Sequence, residues 1–173
     1  MIWLIFISLL IIVAYTVAVC VKQKGIPASI SATFYKLEHP YWSMATMWLT
    51  ACLLMPAILE ISSPNTEYLS FLGLLGMFLV GVAPNFKDKF EGKIHTTGAV
   101  MCIAGSQLWV AFNNPWCLFP WIIYVIYTII MMIRHHTDSI VLDFLHTKPM
   151  FWVEIIAFLN LYICLTLLIF LVV

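Results

Sequence analysis

Charge is what this sequence has least of. Only 9% of its 173 residues are Asp, Glu, Lys or Arg, against about a quarter in a soluble domain. With 64% of the residues apolar, the bilayer is expected to be the main solvent. Eight basic residues balance eight acidic ones, leaving no net charge with His neutral. No bulk field draws the chain to nucleic acid, so a nucleic-acid partner is excluded and electrostatic effects must be local. Cysteine is sparse and unpatterned. The five cysteines form no CxxC pair, which argues against a disulfide framework or a zinc finger and leaves them as small hydrophobes. No basic residue precedes the first apolar run, Ile2 to Val21, as a secretory signal would require. Bulky Val19 before Cys20 also argues against a lipoprotein site. No internal repeat, low-complexity tail or flexible linker interrupts the chain, so 1–173 is read as a single transmembrane domain.

What is present is a series of apolar stretches near the roughly 20 residues that cross a hydrocarbon core of about 30 Å. They run over approximately 2–21, 41–61, 68–83, 94–112, 116–133 and 150–173. The expectation is an all-α, polytopic integral membrane protein with six transmembrane helices. The third stretch is short and carries Gly73, Gly76 and Gly81, which suits a thin or closely packed helix. A six-span chain alternates sides, and Lys and Arg favour the cytoplasmic loops. Lys22, Lys24 and Lys36 fall in the first loop, Lys87, Lys89 and Lys93 in the third, and Arg134 and Lys148 in the fifth. This one-sided distribution predicts that both termini lie outside, in the plasma (inner) membrane. Tyr41, Trp42 and Trp152 would mark the cytoplasmic boundary, and Tyr68, Trp109, Trp116 and Trp121 the outer one.

Two cytoplasmic connections have helical patterning. Ile26, Ile30, Phe34 and Leu37 alternate with Ser29, Thr33 and Lys36, as in an amphipathic helix lying in the interface. Ile140, Val141, Phe144 and Leu145 form a second stripe, with Thr137 or Asp138 as N-cap and Pro149 beyond the end.

On this topology all five histidines, His39, His95, His135, His136 and His146, lie on the cytoplasmic side with most of the acids. A continuous helix would align His136, Ser139, Asp143 and His146 along one edge. Glu91 and His95, four apart, would share a face at the mouth of the fourth span. Imidazole beside carboxylate is the donor set of a divalent transition metal and of acid/base catalysis. His95, His136, Asp143 and His146 are therefore the candidate metal ligands, and Glu154 and Glu91 the candidate acid/base groups. Glu154 stands inside the last span, where a carboxyl must be paired, protonated or wet; His95 is its expected partner. An ordinary polar membrane interface explains the same residues without any site.

Ser43, Thr46 and Thr50 line one side of the second span, and Gly98, Cys102 and Ser106 one side of the fourth, as small residues do where helices approach closely. Gln107 and Asn160 are deeper polar groups suited to interhelical hydrogen bonds. In style, the grouping of His, Asp and Ser at one face resembles membrane-embedded metal hydrolases of the alkaline ceramidase and adiponectin-receptor type. Those carry more spans and a paired-His motif in a late helix, which His135-His136-Thr137-Asp138 does not match, so no residue role is carried over. Three functions follow as expectations. The first is a small membrane-anchored partner or effector subunit, in contact with the lipid bilayer and with a membrane or cytoplasmic protein or further copies of itself. The second is a metal-dependent lipid hydrolase or transferase, and the third a small oligomeric transporter or channel.

Overall fold

A computed structural model describes residues 1–36, 41–83, 85, 87–134, 137 and 139–172. Expectations resting on Leu37, His39, His135, His136 and Asp138 lie outside the described residues. Among the described residues every regular element is helical: α1 (Ile2–Lys22), a 3-10 helix (Ser31–Lys36), α2 (Tyr41–Ile61), α3 (Glu67–Val82), α4 (Lys89–Asn113), a 3-10 turn (Pro115–Leu118), α5 (Phe119–Arg134), α6 (Ile140–His146) and α7 (Pro149–Val172). Four helical stretches are long and apolar enough to cross a membrane: Ile2–Lys22, Tyr41–Ile61, Pro115–Arg134 and Pro149–Phe170. The chain thus has the build of a helical membrane protein. At 16 residues, α3 rises only about 24 Å. At 25 residues α4 has the length but carries Thr96, Thr97, Ser106, Gln107 and Asn113.

The bundle is knit most closely between α3 and α4, where side chains have been removed from the interface. A Cβ added at Gly98 would stand 2.9 Å from the Gly76 carbonyl oxygen, and one at Gly105 would stand 2.7 Å from the Gly73 nitrogen. Backbone therefore meets backbone along the seam, the arrangement small residues permit inside a bilayer, where dispersion replaces the hydrophobic drive. Around it, Leu54, Ile58, Trp109, Val110 and Leu165 are fully enclosed.

Three sets of polar contacts fasten the helices. Near one end, Trp109 donates to the Ser62 hydroxyl at 2.7 Å and Asn113 to Thr66 at 3.4 Å, joining the α2–α3 connection to the end of α4. Trp109 is wholly buried, so it is a core residue and not the belt aromatic its sequence position suggests. Two residues before Trp109, Gln107 Nε2 donates to the Ala157 carbonyl at 3.0 Å, while its Oε1 accepts from Trp121 at 2.9 Å and lies 2.8 Å from the side-chain amide of buried Asn160. Tyr162 donates to Ser8 at 2.9 Å, tying α7 to α1.

The expected amphipathic helix over the first connection does not form. A 3-10 helix begins only at Ser31, and Ile30 and Thr33 are both buried while Ile26 is exposed, so the apolar and polar residues are not sorted onto two opposite faces. Pro27 lacks an amide hydrogen, and the segment's backbone groups bond to α7 instead. α1 closes with a full Schellman turn: Gly25 N–H donates to the Cys20 carbonyl at 3.0 Å and Lys24 N–H to that of Val21 at 3.1 Å. Lys24 occupies the left-handed position with φ 52°, a place glycine usually fills. α6 does form, with Ile140, Val141, Phe144 and Leu145 all exposed. Its N-cap is Ser139 rather than Thr137 or Asp138, so the helix starts too late to carry the expected edge from His136 to His146 as one face.

Replacing Gly76 by Ala should force α3 and α4 apart and destabilise the protein by about 1–3 kcal/mol, read as a lower thermal midpoint in detergent. Gly25→Ala is the control with nothing within 4 Å of its added Cβ; equal midpoints for the two variants would refute the close seam.

Candidate functional site

Helix α7 begins at Pro149, whose fixed φ suits the first helical position. The first amide hydrogens of any helix lack partners within it. Here the first connection supplies one: Phe151 N–H donates to the Ala28 carbonyl at 3.1 Å. Just before the helix, Lys148 adopts φ 54° and its Nζ donates to the Ile26 carbonyl. One and a half turns further on, Glu154 completes the clasp. Ile30 N–H donates to its Oε2 at 2.5 Å and the Ser31 hydroxyl to its Oε1 at 2.8 Å. The same segment is held from α1, where Tyr15 and Thr33 share a hydrogen bond of 2.5 Å. Residues 26–33 are thus folded under the bundle and gripped from two sides.

Above the clasp lies a narrow cavity of about 70 Å³, walled by α2, α3, α4 and α7 and closed at one end by Ile30, Ser31, Met150 and Glu154. Met47, Leu54, Met77 and Leu161 make up much of its apolar wall, and Glu154 is its one ionisable carboxyl. Ser70 and Ser106 also border it, but their hydroxyls donate to carbonyls of their own helices, Glu67 at 2.6 Å and Ile103 at 3.1 Å. Neither Gln107 nor Asn160 borders it.

The other candidates hold loops. Glu91 Oε2 accepts from Asn85 N–H at 3.1 Å, and His95 Nδ1 lies 2.9 Å from the Ala83 carbonyl. Together they fasten the α3–α4 connection to the first turns of α4. Buried His95 thus meets backbone there, while the hydrogen bonds of Glu154 run to Ile30 and Ser31. Asp143, buried on α6, accepts from Thr137 through its amide at 2.8 Å and its hydroxyl at 2.6 Å. His146 is exposed at the end of α6, and His136 lies outside the described residues. Among the described residues no three His, Cys, Asp or Glu side chains gather as a metal site would require.

Asp88 was not singled out as a functional candidate and caps α4, accepting from Phe90 N–H at 2.8 Å and Glu91 N–H at 3.1 Å. The Glu91 and Phe90 amides hold its carboxyl below the ordinary aspartate range. No protein-family model, curated protein or solved structure matches this chain.

Two outcomes follow. Glu154→Ala leaves the buried Ile30 amide without its acceptor and should destabilise by about 1–3 kcal/mol; Glu154→Gln keeps an acceptor and should recover most of the loss in thermal midpoint. Identical midpoints for wild type and Glu154→Ala would refute the clasp. For Asp88 the folded value is depressed, so its capping contribution is present above the ordinary aspartate value and lost as pH falls through the lowered one. Protection of the Phe90 and Glu91 amides, measured as the hydrogen-exchange rate relative to the intrinsic rate at each pH, should fall on acidification, and Asp88→Asn should remove that pH dependence.

Proposed function

We propose that this chain is a six-span integral membrane protein, with both termini outside the cytoplasm, that acts without catalysis as a small anchor or effector subunit in the plasma (inner) membrane. The observation that carries the non-catalytic reading is the use made of the candidate reactive groups. Glu91, His95, Asp143 and Glu154 are each engaged in hydrogen bonds that close or brace a connection between helices. A metal-dependent lipid hydrolase or transferase needs such groups converging on one reacting atom. A transporter or channel needs polar groups facing a path, whereas Gln107 and Asn160 bond to one another.

The six-span reading draws support from which connections meet. Loop residues 26–31 bond to the start of α7, and the α2–α3 connection bonds to the end of α4. Both pairings join loops that the alternation places on the same side. All eight basic residues fall in the loops that this reading makes cytoplasmic, and the positive-inside rule supports that orientation. The exposed apolar side of α6, with Ile140, Val141 and Leu145, then lies at the cytoplasmic boundary, available to the bilayer or to a protein partner.

A reporter active only outside the cytoplasm should be active when fused after Val173 and silent when inserted at Lys89. The purified chain should hold no stoichiometric transition metal. A stoichiometric metal that is lost in His95→Ala or His146→Ala would overturn the non-catalytic reading, and an active reporter at Lys89 would overturn the orientation.

A further inference from the structure

The cavity that ends at Glu154 has the length of one lipid chain. Along α2 its wall runs from Met47 to Ile58 and along α7 from Met150 to Leu161. Eleven residues of helix rise about 16 Å, which is the depth of one leaflet in a hydrocarbon core of about 30 Å. The wall is apolar over that length, and a void of this kind inside a protein stays dry and takes up apolar guests. Polarity is confined to one end. Ser70 and Ser106 have turned their hydroxyls to their own helices, leaving Glu154 with Ser31 as the polar terminus.

That terminus can accept another bond. A carboxylate offers about four lone-pair sites; the Ile30 N–H and the Ser31 hydroxyl occupy one on each oxygen, and the Ser31 backbone amide a further one. With both oxygens already accepting, the remaining lone pairs favour a donating head group over a second, acceptor-only carboxylate. The remaining obstacle is width, since about 70 Å³ is less than a full hydrocarbon chain fills. Three methionines, Met47, Met77 and Met150, border the void. Their unbranched thioether side chains re-pack around irregular guests more readily than branched ones.

We propose that this cavity binds a single-chain amphiphile with a hydrogen-bond-donating head, a long-chain alcohol or amine. Its chain lies between Met47, Leu54, Met77 and Leu161, and its head meets Glu154 and Ser31. The ligand enters from the bilayer itself, which fits the partner reading above without depending on it: the chain would present or sense such a molecule without altering it.

The test uses the full chain in phosphatidylcholine nanodiscs and a photoreactive hexadecanol as probe. Labelling should saturate at one probe per chain, map to cavity residues of α2 and α7, and be displaced by hexadecylamine. Palmitate should compete at least about tenfold less well. Ala157→Phe and Ala99→Phe each place a ring in the void from a different helix, so either well-folded variant should lose saturable labelling. Glu154→Gln should retain labelling but erase the preference for hexadecylamine over palmitate. The proposal is overturned by equal competition from palmitate, by labelling that survives both phenylalanine variants, or by unsaturable labelling confined to outward residues such as Ile126 and Ile129.

Discussion

A carboxyl group placed inside an apolar helix has to be given hydrogen-bond donors, because an unsatisfied one costs several kcal/mol in a medium without water. In this chain the donors come from the backbone and hydroxyl of residues far away in sequence, Ile30 and Ser31. Much else at that end follows from meeting this requirement. The first connection cannot wander into the interface, since its amide and carbonyl groups are already engaged by Lys148, Phe151 and Glu154. The start of α7 is capped, one end of the central void is sealed, and α1 is drawn in through Tyr15 and Thr33.

The same logic, with other residues, governs the second connection on that side. Asp88 satisfies two orphan amides of α4, Glu91 reaches back to Asn85, and His95 holds the Ala83 carbonyl. Polar side chains that could have formed a reactive centre are distributed as separate braces. Each brace shortens the reach of a loop, which is how a chain with so few charged residues keeps its connections ordered at a boundary where water competes for every hydrogen bond.

The helices were largely legible in the sequence because the bilayer imposes a length and a composition, and the expected apolar stretches fall almost entirely within helical residues. The glycine seam was legible too, since Gly73, Gly76 and Gly98 have no side chain to justify their place except by letting something come near. Glu154 stood out as an intramembrane carboxyl. Its partners did not, because the Ile30 amide is chemically identical to every other amide, and only tertiary structure singles it out. The amphipathic spacing from Ile26 to Phe34 misled for a related reason: periodicity records which side chains differ, not which become buried, and here apolar Ile30 and polar Thr33 are both buried while Ile26 is exposed. Trp109 shows the same ambiguity, as an indole near a span terminus serves equally as a belt residue or, with Ser62 within reach, as a core one. The continuous His136 to His146 edge failed because helix spacing was extended through residues that precede the actual N-cap, Ser139.

The bare contact between α3 and α4 has a mechanical meaning. Two helices separated by side chains can slide or tilt as rotamers change, but two backbones in contact have no such slack. The pair therefore behaves as one stiff plank, and Gly73, Gly76, Gly98 and Gly105 mark where it is glued. The opposite wall of the void, to which α2 and α7 contribute Met47, Leu54, Phe158 and Leu161, presents side chains rather than bare backbone. Widening the interior would therefore move those two helices against a fixed reference, with the Glu154 clasp holding one end.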